Sequence, residues 1–158
     1  MSPGDSTVLF KALPTKFRLT SPEKRLLSNF SKTLSQDVVG GQPFTSLITN
    51  DRELQKLNKQ FLGHDYATDV LSFPSATADH LGELAISVER ADAQANSFGH
   101  SRLDEIRVLM LHGLLHLAGM DHETDRGAMS RAEKKWRSHF DLPATLILRS
   151  KAGKAGRV

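Results

Sequence analysis

The chain of 158 residues has no cysteine. Disulfides and thiolate metal sites are therefore excluded, and a metal bound here must be held by nitrogen and oxygen. The opening MSPGDSTVLFKALP lacks a long apolar run and carries an acid and prolines. It reads as neither a signal peptide nor a membrane span, so a soluble cytoplasmic protein with no membrane partner is the simplest expectation. Acidic residues are missing after Asp141, where Arg149, Lys151, Lys154 and Arg157 follow. Taking those four from the formal net charge of +3 leaves −1 for the rest. The basic pI of about 9.3 is thus a property of the tail, and charge alone does not point to nucleic acid. There is also no internal repeat and no long linker. With 39% hydrophobic and 25% charged residues, residues 1–148 read as one domain with a real core, and 149–158 as a solvated basic tail.

Turning to what is present, Thr7 to Phe10 suits a short first strand. Ser21, Pro22 and Glu23 make a helix start with serine as the cap, and Leu27, Phe30 and Leu34 give that helix an apolar face up to Gly40. Residues 44–49 read as a strand. Asn50 with Glu53 resembles a capping box, and Leu54, Leu57 and Phe61 repeat at helical spacing until Gly63. Residues 69–73 and 82–87 are two further strands, antiparallel because a short loop joins them. Val88, Ala91, Ala95 and Phe98 mark an amphipathic helix. Ser101 opens the next, which is apolar nearly all round from Val108 to Ala118, as in a helix buried on most sides. A last helix is expected from Thr124 to Phe140, with Met129, Ala132, Trp136 and Phe140 as its buried stripe. The pattern predicts an α+β fold: a small mixed sheet packed with about five helices.

The chemistry concentrates in residues 112–122, HGLLHLAGMDH. His112 and His116 are one helical turn apart, about 40° around the helix and about 6 Å along it. Two imidazoles so placed can converge on one ion. Gly119 permits the chain reversal that returns His122 over the helix end. Three nitrogens with an open fourth position are the arrangement of a catalytic zinc, one ion per chain, able to bring a water's pKa down to about 7. A lone histidine in an apolar helix is more often a core residue with a satisfied hydrogen bond. Two in the most apolar helix each need a partner, which a shared cation supplies at once. Three imidazoles also accept nickel or copper, and acid should release any of these metals. Asp121 reads equally as an acceptor that orients a ligand histidine or as the N-cap of the last helix. Glu105, seven residues before His112, falls on nearly the same helix face; it could touch substrate or pair with a base, but solvation is its commoner fate. The H-x3-H-x5-H spacing is shared with metzincin peptidases, which place a glutamate base after the first histidine. Here that position is Gly113, so the peptidase base is missing, and no residue is assigned as catalytic base.

HGLLHLAGMDH closely resembles the HGxLHLxGxDH signature of the bacterial YbeY endoribonuclease family. Residues 66–74, YATDVLSFP, look like its TDVLSFP segment, and GELAIS (82–87) is similar to its GDIxIS strand. Leu57-Asn58, Met129 and Glu133 also match, so the resemblance runs over about residues 50–137. It implies a compact α+β fold and zinc on His112, His116 and His122. It implies single-strand-directed endoribonuclease activity in maturing the 3′ end of small-subunit rRNA and in ribosome quality control. The partners it implies are single-stranded or ribosomal RNA, the small subunit and assembly factors, with no DNA. One departure stands out. Aligned on Leu57-Asn58 and Thr68-Asp69, Leu62 takes the place of a family arginine, the natural phosphate contact. Arg102, Arg107, Arg126 or His64 would have to stand in for it. The alternative function is a weakly or non-catalytic assembly factor that keeps the zinc site.

Overall fold

A computed structural model describes residues 5–65, 68–121 and 126–143. The start of the chain forms strand β1 (Thr7–Phe10), a single 3-10 turn at Thr15–Phe17, helix α1 (Ser21–Val39) and strand β2 (Thr45–Thr49). Helix α2 (Asp51–Leu62), strands β3 (Val70–Pro74) and β4 (Gly82–Ser87), and helix α3 (Val88–Phe98) follow. Helices α4 (Arg102–Leu117) and α5 (Ala128–His139) complete the described elements. The sheet order is β1-β2-β4-β3. β1, β2 and β4 run parallel, and β3 lies antiparallel along β4 as the edge strand. This is the expected α+β arrangement, one mixed four-stranded sheet with five helices. The proposed boundary between 148 and 149 lies outside the described residues.

Strand alternation gives the sheet two unequal faces. Val8, Ile48, Leu84 and Ile86 point into the main core with α1, α3 and α4, whereas Leu71 and Ala85 point the other way against Leu54 of α2. α4 lies in the middle of the main core, touching α1, α3, α5, β3 and β4. Ile106, Leu109, Met110, Leu111, Leu114 and Leu115 on it are all buried. At about 1.5–3 kcal/mol each as an upper bound, their burial rivals the whole net stability of an ordinary domain. α4 is therefore the element that the others are packed to cover.

Several boundaries differ from the sequence reading, each for a local reason. The cap of α1 is Thr20 and not Ser21: Thr20 Oγ1 accepts from the Glu23 N–H, and Glu23 returns a carboxylate to the Thr20 N–H at 2.8 Å. Asn50 caps α2, but the Glu53 side chain reaches Lys11 at 3.4 Å instead of closing a box. Phe61 and Phe98 hold apolar positions of their helices yet are 59% and 51% exposed, because each lies in the last turn, beyond the core. In the described residues the last helix begins at Ala128, with Gly127 at the N-cap and no side-chain cap. Asp121 is therefore not its N-cap.

Gly113 sets how closely α4 approaches the sheet. A β-carbon there would stand 2.7 Å from Leu84 Cδ2 and 3.3 Å from Val70 Cγ2. The position where a peptidase carries its base is thus pressed against the apolar side chains of β3 and β4, which would have to move to admit even a β-carbon. Gly113→Glu would force a carboxylate into that apolar seam, at a cost well above a typical substitution. We expect it to lose cooperative thermal unfolding; a melting temperature within a few degrees of wild type would refute this account.

Candidate metal centre

The sequence places His112 and His116 in the last turns of α4, and the residues after Leu117 fix how that helix stops. Gly119, at φ 95°, donates to the His116 carbonyl at 3.0 Å, and Met120 donates to the Leu115 carbonyl at 3.1 Å. This is a Schellman ending, which turns the chain back toward the helix. The helix end and the reversal were both expected from Gly119. His122 itself lies outside the described residues, and Asp121 is exposed just before it.

His112 is buried and His116 is half-buried, with ring centroids 4.8 Å apart in an edge-to-face arrangement. His112 Nδ1 lies 3.0 Å from Oε1 of the fully buried Glu133 on α5. A carboxylate at that distance suits Nδ1 as the donor, and a ring that donates through Nδ1 presents Nε2 on its other side. That Nε2 faces His116 Nε2 at 3.2 Å. Two ligands of a tetrahedral zinc, each at about 2.0–2.1 Å, would stand about 3.3–3.4 Å apart. The paired nitrogens fit a shared cation of that size, and a carboxylate behind a ligand imidazole is the arrangement that sets its tautomer and raises its basicity. Among the described residues no third histidine or carboxylate joins them as a metal-binding group.

The pair opens into a cleft of about 410 Å³ lined by Asp69, Val70, Leu71, Ser72, Pro74, His112 and His116. Its wall is the edge strand β3. Asp69 is fixed there from two sides, accepting from the Val70 N–H at 2.9 Å and from Gln94 Nε2 of α3 at 2.8 Å. Ser72 Oγ donates to the Gly113 carbonyl at 3.3 Å, which ties β3 to the helical turn that carries His112.

Other candidates go elsewhere. Glu105 is fully buried and lies 2.6 Å from His100 Nε2, so it is neither solvated nor part of the cleft. Arg102 pairs with Asp92 at 3.0 Å and stacks on Phe17; Arg107 pairs with Asp104 at 3.1 Å and stacks on Phe30. Neither lines the cleft, so neither replaces a phosphate-binding arginine there. The motif resemblance matches Glu133 as a pattern residue without giving it a role. Its phase is the available signal: it lies four residues after Met129, on the buried side of α5. A carboxylate in that phase has to be paired.

The fold and site together define an α+β protein whose central buried helix carries paired histidines beside an edge strand of its sheet. A family model described as Endoribonuclease YbeY matches residues 16–141. The protein named Endoribonuclease YbeY from Solibacter usitatus (strain Ellin6076) is 51% identical over 148 residues, covering 94% of this chain and 97% of its own. The one of that name from Nautilia profundicola is 49% identical over 106 residues, 66% of this chain and 76% of its own. In fold, the solution structure of TM1509 from Thermotoga maritima is similar with a TM-score of 0.53 and 29% identity, covering 84% of this chain and 93% of that one. The chain belongs to the YbeY endoribonuclease family.

The Glu133–His112 contact has a direct consequence for stability. Glu133→Ala leaves a buried ring nitrogen without its acceptor and should cost about 1–3 kcal/mol. Urea unfolding measures this, and a loss under about 0.5 kcal/mol would mean that the contact is incidental.

Proposed function

We propose that this protein is a zinc-dependent endoribonuclease acting on single-stranded RNA, with one zinc held by His112, His116 and His122. The observation that carries the reading is the 3.2 Å approach of the two Nε2 atoms at the cleft, one ring already oriented by Glu133. The family name supports RNA as substrate. Bound zinc would supply Lewis acidity toward a phosphoryl oxygen and a more acidic nucleophile. The chain's own contributions are separate. Glu133 holds the Nδ1 proton so that His112 Nε2 faces the cleft. Gly113 keeps the helix tight against β3, and the apolar side chains of α4 hold both rings in place. Asp121 is proposed as an acceptor toward a ligand histidine. Maturation of the 3′ end of small-subunit rRNA, ribosome quality control, and contact with the small subunit and its assembly factors are proposed on the motif resemblance alone, and a cytoplasmic location on the reading of the sequence.

A second reading, an assembly factor with a retained zinc site and little cleavage, is favoured by Leu62. It stands where the resemblance places an arginine, and it is 49% exposed at the end of α2.

Purified protein should carry about one transition-metal ion per chain. It should cut single-stranded RNA until a chelator is added and recover with zinc, and His116→Ala should be inactive. Chelator-resistant cleavage, or cleavage by that variant, sinks the first reading. Leu62→Arg is the companion experiment. If the missing cation limits the rate, cleavage should rise severalfold at unchanged zinc content, since the exposed side chain is replaceable without touching the core. An unchanged rate would leave Leu62 without a role in activity.

A further inference from the structure

The register of β3 on β4 determines which of its backbone groups enter the cleft. The Ser87 N–H donates to the Asp69 carbonyl at 3.0 Å, and the Ser75 N–H donates to the Leu81 carbonyl at 2.9 Å. Both bonds join residues directly opposite in the register that sets Val70 against Ile86 and Pro74 against Gly82. Hydrogen-bonded pairs alternate along an antiparallel ladder. Leu71 and Phe73 therefore turn their backbone groups toward β4, and Val70, Ser72 and Pro74 turn theirs off the sheet. β3 is the edge strand, and all of these residues except Phe73 line the cleft with His112 and His116.

An open edge of this kind invites an extended peptide. Here the N–H donors that a peptide ladder needs are missing at two of its three outward positions. The Val70 N–H is taken by Asp69 Oδ1 at 2.9 Å, and Pro74 has no N–H. Ser72 stands opposite Leu84 in an open pair, so its N–H is not spent on β4. That leaves one outward N–H on the cleft that also holds the two imidazoles, and a single donor can hold one anionic oxygen. The Ser72 hydroxyl is turned inward onto the Gly113 carbonyl, so the backbone donor and the His112 turn keep a fixed relation.

We infer that the Ser72 backbone N–H is a substrate-positioning donor that holds a phosphate oxygen of the RNA strand in the cleft. This rests on the endoribonuclease reading above. It also supplies one phosphate contact that does not depend on an arginine at position 62.

The donor can be deleted without breaking the ladder, because proline is tolerated where an edge strand's N–H faces outward. Ser72→Pro removes the N–H and the hydroxyl; Ser72→Ala removes the hydroxyl alone and is the reference. A labelled single-stranded 2′-fluoro oligonucleotide reads binding by anisotropy, and unmodified RNA reads kcat and KM. Relative to Ser72→Ala, Ser72→Pro should weaken binding and raise KM by roughly tenfold, as for loss of a charge-assisted bond. Its kcat should stay within about twofold and its zinc content should be unchanged. A merely structural role would instead lower zinc content or the melting temperature along with kcat. Equal affinity in the two variants overturns the inference while leaving metal-dependent cleavage by the wild type, and so the proposed function, intact. Wild-type protein that binds no oligonucleotide overturns the inference, and if it also cuts no RNA the proposed function falls with it. Should Ser72→Pro not fold, a backbone ester at the Leu71–Ser72 bond removes the same N–H without a ring, and the same comparison decides.

Discussion

The close seating of α4 on the sheet at Gly113 is the constraint on which the rest depends. With no β-carbon at this position, the helix lies so close to Leu84 and Val70 that even an alanine would require the Leu84 methyls to shift. That contact sets the height of His112 relative to β3, so it sets the width of the cleft. It also removes the position where a spacing of this kind elsewhere carries a base. Packing and chemistry are thus coupled at one residue: the helix is tight because the side chain is absent, and the site must do without a base there for the same reason.

From that contact outward, each neighbour fixes one degree of freedom. α5 supplies Glu133, whose carboxylate 3.0 Å from Nδ1 sets the rotation of the His112 ring. The Schellman ending at Gly119 sets where the chain turns after His116. Ser72 ties the edge strand to the carbonyl of Gly113, and Gln94 of α3 holds Asp69 at the head of the same strand. The cleft is therefore walled by groups from α4 and β3, with α3 and α5 holding its parts in register from behind. Placing His112, His116 and Ser72 on regular elements is what positions such groups with little reorganisation.

Much of this was legible in the sequence because it is local. Helical spacing placed the two histidines on one face, glycine marked the helix end, and a short loop between residues 69–73 and 82–87 forced an antiparallel pair. What escaped was set by partners remote in the chain. Glu133 meets His112 across 21 residues, and only its phase within the buried stripe of α5 hinted that it faces inward. Glu105 looked solvated because its partner, His100, precedes the helix and reaches it through a loop geometry that periodicity does not encode. Phe61 and Phe98 obeyed the periodic pattern and still ended exposed, since periodicity gives the face of a helix but not the point where the core stops.

The backbone of β3 is the least legible part of the site, and its chemistry follows only from register. Side-chain patterns say which residues face α4 and which face α2. They do not say which amides point off the edge, because that depends on whether a given opposite pair is the hydrogen-bonded or the open kind. The bonds from Ser87 to Asp69 and from Ser75 to Leu81 settle the phase. They leave Pro74 and the Asp69-capped Val70 on either side of Ser72. Proline and a self-capping aspartate are devices that stop a sheet from adding another strand. In this chain the same two residues leave one outward N–H on the cleft that holds the two imidazoles, so the protection of the edge and the proposed anionic contact have a common structural cause.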